Sequence, residues 1–263
     1  MVTDGAGLEE SISSRLRDVP PDRLLVVSDF DGTIAEIVPS SGDARPITEA
    51  AQALDALADG VLAVVILSGR SRGDLAGRLP NPKLRLLGDY GLEEPDDGER
   101  QALAGFNQQA SVVVDRHPGA QLEMKRGSTS IHYRAAPELA DELLKDLAPL
   151  AARAGLEARR GRMVVEVRPR RAEKGAAMQR LLDELQPAGA VFAGDDEGDR
   201  RVFELLMGSR LPHLAVGVAS QETDARLFDA CDLVVPGPAG AAAFFSRLAG
   251  WARRGRAGPG SAG

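Results

Sequence analysis

The sequence predicts an α/β fold, a parallel β-sheet flanked by helices with a smaller α+β layer inserted into it. Short Val- and Leu-rich runs alternate with helical stretches, which is the pattern of successive βα units. Between residues 107 and 171 that alternation gives way to two hairpins and intervening helices. The core is therefore expected over residues 1–106 and 172–263, and the insertion over 107–171.

Leu24–Ser28 is a compact apolar run with Pro20 and Pro21 before it and polar residues at 29–33 after it, as a buried strand requires. Residues 46–58 place Pro46 near a helix start, space their apolar residues helically and meet Gly60 as a stop. The run 61–67 is the second buried strand, and Leu84–Leu87, 189–193, 214–218 and 233–235 complete the sheet. In the insertion, strands 121–125 and 129–134 flank a turn at Arg126-Gly127-Ser128, and a helix follows over 137–153. A second hairpin joins 156–160 to 163–168 and ends at Pro169. The segment after Ala249, rich in Gly and Arg, is expected to fray.

Composition narrows the function before any motif is read. With 263 residues and 43% hydrophobic content the chain can bury a sizeable core. Its longest apolar run, 61–67, falls far short of the roughly 20 residues a membrane span needs, so no membrane partner is expected. The first twenty residues show no apolar signal core, which points to the cytoplasm. A single cysteine, Cys231, excludes an internal disulfide and a cysteine-based zinc site. The net charge of -7 argues against nucleic acid as the main partner. Only Lys83, Lys125, Lys145 and Lys174 are lysines among the 32 Lys and Arg residues, so a lysine here is a pointed choice.

The strongest local signal is Asp29-Phe30-Asp31-Gly32-Thr33, directly after a buried strand. Aspartates at i and i+2 beyond a strand end can face one pocket, and Gly32 lets the chain turn away. In open α/β sheets ligands sit at the carboxyl ends of strands, the side on which this pair falls. Ser68-Gly69-Arg70 follows the second strand, and Gly194-Asp195-Asp196 follows the strand over 189–193. Parallel strands point the same way, so these pieces converge on one rim. Lys174-Gly175 opens a helix whose N-terminus can join them and offer N–H groups to an anion.

In this order the four pieces resemble the motifs of the haloacid dehalogenase superfamily of phosphotransferases, with a Rossmann-like core and an inserted cap domain. The resemblance implies Asp29 as nucleophile, forming an aspartyl-phosphate, and Asp31 as general acid and then base. It implies that Ser68 and Lys174 hold phosphoryl oxygens. Mg2+ would sit between Asp195, the Asp29 carboxylate and the Asp31 backbone carbonyl, with Asp196 and Asp199 supporting that shell. The chemistry is reasonable in itself: a carboxylate attacking a dianionic phosphate needs a hard cation between them. A sugar alkoxide leaves poorly, so a positioned acid is worth a factor of roughly 10² to 10⁴.

Within the superfamily the sequence is similar to the trehalose-6-phosphate phosphatases. The likeness runs through 29–38, the Ser-Gly-Arg step, Gly91-Leu92-Glu93, 122–125, 131–134 and 165–169. It implies that Gly69, Arg70, Glu123, Lys125, His132, Arg134 and Glu166 contact a small-molecule sugar phosphate. On a strand Glu123 and Lys125 share one face, as do His132 and Arg134, and together they offer the donors and acceptors that hydroxyls need. The last motif departs from the family's Gly-Asp-Asp-x-Thr-Asp-Glu, with Gly198 for the threonine and Arg200 for the final acid. Gly88-Asp89-Tyr90-Gly91 replaces the more usual Gly-Asn-His-Gly, and Glu36 stands where proline is common.

The expected activity is Mg2+-dependent hydrolysis of a disaccharide phosphate, trehalose 6-phosphate first, by a monomer or homodimer. Pseudo-disaccharide and glycosylglycerate phosphates are the alternative substrates. A sugar phosphomutase of the same superfamily and a sugar-phosphate-binding regulator without turnover are the rival classes.

Overall fold

The computed structural model describes residues 3–38, 41–92, 95–161, 163–170, 172–220 and 223–257. Glu93 and the last six residues lie outside them. The chain divides into two compact units, one of residues 1–88 with 174–263 and one of residues 89–173.

The first unit opens with α1 (Gly5–Arg15), capped by Asp4, whose carboxylate accepts from the Gly7 N–H at 2.8 Å. Then come β1 (Leu24–Ser28), α2 (Thr48–Ala58), β2 (Ala63–Leu67), α3 (Arg72–Arg78) and β3 (Leu84–Leu87). The second unit holds α4 (Asp97–Val114), β4 (Gln121–Met124), β5 (Thr129–His132), α5 (Ala140–Arg153), β6 (Leu156–Gly161) and β7 (Val164–Pro169). The chain returns to the first unit with α6 (Lys174–Leu185), β8 (Gly189–Gly194), α7 (Arg200–Met207), β9 (His213–Ala219), β10 (Leu233–Pro236) and α8 (Gly237–Ala257).

The first unit is a six-stranded sheet in the order β10-β9-β8-β1-β2-β3, parallel throughout. Alternation along β1 splits its side chains between two cores. Leu24 and Val26 pack with residues of α1, α2 and α8, among them Ile12, Leu54 and Phe244. Leu25 and Val27 pack on the opposite face with Met178 and Leu181 of α6 and Phe203 of α7. A sheet buried on both faces explains why its strands read as unbroken apolar runs. The chain runs outward from β1 through β2 to β3, then restarts at β8 on the other side of β1. The switch point of the sheet therefore lies between β1 and β8. Ser28 is level with Ile66 on one side and Ala193 on the other, so the segments after β1, β2 and β8 leave the sheet at one height.

The second unit is an antiparallel sheet in the order β4-β5-β7-β6. One face carries Ile131, Val165, Val167 and Leu156 against Leu103, Phe106 and Ala110 of α4 and Leu143 and Leu147 of α5. This packing moves the boundary expected at residue 107 back to residue 89, because α4 buries its apolar stripe on this sheet. The expected fraying after Ala249 is also corrected: α8 runs on to Ala257, and Ala252 is buried. No helix among the described residues is long and apolar enough to cross a membrane.

Candidate active site

The acids at the ends of β1 and β8 come together as their register requires. Asp29 is buried, and its N–H donates to the Ala193 carbonyl at 2.9 Å. Lys174, the first residue of α6 and also buried, places its ammonium 2.9 Å from Asp29 Oδ1 and 2.7 Å from Asp199 Oδ1. The other oxygen of Asp199 accepts from the Asp195 and Asp196 N–H groups at 2.9 and 3.1 Å. Asp199 thus ties the loop after β8 to Lys174, one oxygen for each. Asp196, half exposed, is 3.8 Å from the ammonium. Asp195 is buried and accepts from the Thr33 hydroxyl at 3.3 Å, so residues 29–33 and 195–199 are tied across the switch point.

Gly32 makes this approach possible. It has φ of +82°, and a Cβ built on it would lie 2.1 Å from Asp195 Oδ2. Gly194 is equally hemmed in, with a Cβ 2.4 Å from the Asp199 carboxyl carbon. The glycines of both motifs are fixed by carboxylates packed against the backbone.

Asp29, Asp195 and Asp199 can each bring one carboxylate oxygen within 4.8 Å of the others. Burial pushes the Asp29 carboxyl up to about 8 against the pull of Lys174, with Asp196 and Asp195 adding to the rise. Burial likewise holds Asp199 well above its usual range. For Lys174, burial works against the charge, yet the carboxylates of Asp199, Asp29 and Asp196 outweigh it and keep the ammonium protonated. Three buried acids beside one ammonium can be ionised together only with further positive charge among them, and all their donor atoms are oxygen. That set fits a hard divalent cation such as Mg2+, which would draw Asp29 back to the carboxylate form.

Asp31 lies two residues beyond Asp29. Its side chain is 41% exposed and lies in the fork of Arg70, with hydrogen bonds of 2.7 Å from Nε and 2.6 Å from Nη2. Arg70 also donates to Asp74 at 2.7 Å and lies 5.1 Å over the Phe30 ring. The arginine expected to touch substrate thus also holds Asp31. Ser68 is buried just past β2, where its hydroxyl accepts from the Arg70 N–H at 3.2 Å, and Gly69 lies in the turn between them. Asp74 draws on two guanidinium groups: Arg78 chiefly, and Arg70, hold its carboxyl down at about 2 against the opposing effect of burial.

In the second unit Glu123, Ser130 and Glu166 lie in one row across β4, β5 and β7. His132 Nε2 is 2.7 Å from Glu123 Oε2, and Lys125 Nζ is 3.9 Å from the same oxygen. Glu166 accepts a hydrogen bond from the Tyr90 hydroxyl. Arg134 departs from the expectation: β5 ends at His132, and Arg134 sits exposed in the following turn, off the face it was expected to share. The sequence marks Asp89 and Tyr90 only as departures from the family's motif, and Arg168 only as part of the likeness over 165–169. The guanidinium carbon of Arg168 lies 3.8 Å from the Tyr90 ring centroid.

An all-parallel sheet with paired acids at its switch point, and an antiparallel layer inserted into it, defines a phosphotransferase core of the haloacid dehalogenase class. A family model described as trehalose-phosphatase matches residues 27–231, and the chain belongs to that family. It is 32% identical over 213 residues to the trehalose-6-phosphate phosphatase of Escherichia coli, covering 75% of this chain and 78% of that one. It is 36% identical over 199 residues to the bifunctional trehalose-6-phosphate synthase/phosphatase of Thermoproteus tenax; the match takes in 70% of this chain and 27% of that relative, about a quarter of its length. Among solved structures, trehalose-6-phosphate phosphatase of Aspergillus fumigatus superposes with a TM-score of 0.64 at 25% identity, over 95% of this chain and 98% of that one.

Proposed function

We propose that this protein is a Mg2+-dependent phosphomonoesterase that hydrolyses trehalose 6-phosphate to trehalose and phosphate. The observation that carries the reading is the Lys174 ammonium 2.9 Å from Asp29 at the switch point, within a group of buried acids. The names of the relatives point to the same substrate. The reading is of a cytoplasmic enzyme, monomer or homodimer, whose partner is a small molecule rather than nucleic acid or a membrane.

Asp29 Oδ attacks phosphorus, the bond from phosphorus to the sugar oxygen breaks, and Asp31 gives that oxygen a proton. Water then attacks the aspartyl-phosphate, Asp31 takes the water's proton, and the bond between phosphorus and Asp29 breaks to release phosphate. Lys174 and the Ser68 hydroxyl hold phosphoryl oxygens, and Arg70 sets the orientation of Asp31. When bound, Mg2+ would be held by Asp29, Asp195 and the Asp31 carbonyl, and would offset the repulsion between carboxylate and phosphate. Asp196 and Asp199 keep the Asp195 loop in shape. In the second unit Glu123, Lys125, His132 and Glu166 are assigned to the sugar hydroxyls.

A panel of sugar phosphates assayed for phosphate release, with Mg2+ and then with chelator, tests reaction, metal and substrate together. Trehalose 6-phosphate is expected to be turned over fastest and only with the metal. Turnover that survives chelator, or a clear preference for a hexose phosphate, overturns the reading.

A further inference from the structure

Asp89, Tyr90 and Gly91 have φ of 49°, 59° and 76°, three successive residues in the left-handed region. A residue with a side chain gives up roughly 1–2 kcal/mol there, so the surrounding structure must hold this backbone in place. Tyr90 connects two residues of one strand. Its hydroxyl donates to Glu166 Oε2, and its ring face carries the Arg168 guanidinium at 3.8 Å. Glu166 and Arg168 alternate along β7 and so project from the same side of the sheet.

Arg168 is only 4% exposed, yet its Nε and Nη1 have no hydrogen-bond partner among the described residues. Ser130, level with Glu166 on β5, and Asp89, beside Tyr90, are also buried with an oxygen unpartnered. Native proteins rarely leave buried donors and acceptors idle, and a buried guanidinium least of all. Two N–H donors on one plane next to a fixed carboxylate acceptor match adjacent hydroxyls of a sugar ring.

We propose that Tyr90 is a positioning residue for sugar recognition, holding Glu166 as an acceptor and Arg168 as a donor in one fixed arrangement. The proposal rests on the reading that Glu166 contacts the sugar. Tyr90→Phe keeps the platform under Arg168 and removes only the hydroxyl that fixes Glu166. A hydrogen bond to a charged group is worth roughly 1.5–3 kcal/mol, so KM for trehalose 6-phosphate is expected to rise at least about tenfold while kcat changes less than about twofold. Tyr90→His retains a flat ring under Arg168, but its N–H ends well short of the tyrosine hydroxyl, so KM is expected to rise as in Tyr90→Phe.

Steady-state kinetics of Tyr90→Phe, Tyr90→His, Glu166→Gln and the Tyr90→Phe/Glu166→Gln double variant decide the matter. In the double variant KM is expected to exceed that of Glu166→Gln by less than about twofold, since Tyr90 acts through Glu166. Independent, multiplying effects overturn the proposal. So does a normal KM in Tyr90→Phe when Glu166→Gln raises it. A Glu166→Gln enzyme with unchanged KM removes the underlying reading and the proposal with it, a pattern distinct from the other two. If Tyr90→Phe does not fold, a folded Tyr90→His with the parent's KM overturns the proposal.

Discussion

The acids at the ends of β1 and β8 and the polar face of the antiparallel sheet are both built from charged side chains, but their hydrogen bonds are closed to different degrees. At the switch point Lys174 and Asp199 meet each other and their neighbours at 2.7–3.1 Å, within a buried, fully connected group. Around β7 Arg168, Ser130 and Asp89 are also buried but keep polar atoms without hydrogen-bond partners among the described residues. The first region is assembled by the chain itself, and what it lacks is charge rather than hydrogen bonds. The second lacks hydrogen bonds. A buried network that is complete is expensive to break, whereas an incomplete one can lose a member cheaply, so substitutions should separate the two.

The largest effects fall on the closed network. Asp29→Asn is expected to lower phosphate release from trehalose 6-phosphate at least about a thousandfold, measured at saturating substrate and Mg2+. Residual turnover near the parent rate would break the covalent scheme. Lys174→Met leaves Asp29 and Asp199 buried without their ammonium. Urea unfolding at neutral pH in chelator should then show a loss of about 3–5 kcal/mol. An unchanged midpoint would show that the group does not depend on that charge.

Gly32→Ala comes next, since the added methyl meets Asp195. A fall in activity on the order of a hundredfold, with the secondary structure retained by circular dichroism, is the expected result. Asp74 gives a smaller and pH-dependent effect. Its carboxyl is held down at about 2, below the unfolded value, so its contribution to stability is present above about pH 4 and lost as pH falls through 2. Asp74→Asn should lower stability by about 1 kcal/mol at pH 7, a figure discounted for its partial exposure, and the difference from the parent should vanish in acid. The smallest effect belongs to the open network: Ser130→Ala removes a buried hydroxyl that has no partner among the described residues. It is expected to leave the unfolding free energy within about 0.5 kcal/mol of the parent or to raise it slightly. A loss above about 1 kcal/mol would erase the contrast between the two regions.

The strands of the parallel sheet were legible because each is a short apolar run buried on both faces, and the acidic motifs were legible because they stand directly after those runs. Parallel strand direction made the approach of Asp29 and Asp195 legible, whereas Lys174 stands on a helix N-terminus and Asp199 enters only through the family resemblance. Other features depend on distant partners that no local pattern encodes. Arg70 follows Ser68 in a phosphate-type motif, yet its fork goes to Asp31, 39 residues earlier in the chain. The inserted unit starts before residue 107 because Leu103 and Phe106 pack on a sheet that follows them. The Arg134 misplacement came from continuing the alternation of β5 two residues past its end. The helix through Ala257 was hidden by its glycines and arginines, which tertiary packing against α2 overrides. Tyr90 gave only a compositional hint, a departure from the family's usual histidine.

The contact between Gly32 and Asp195 links positions 163 residues apart in the chain as tightly as adjacent ones. Any side chain at position 32, however small, intrudes on the space of the acid opposite. A change of that codon would therefore read in an assay as damage to the far motif, and random mutagenesis that recovers active clones should find the smallest amino acid there in every one.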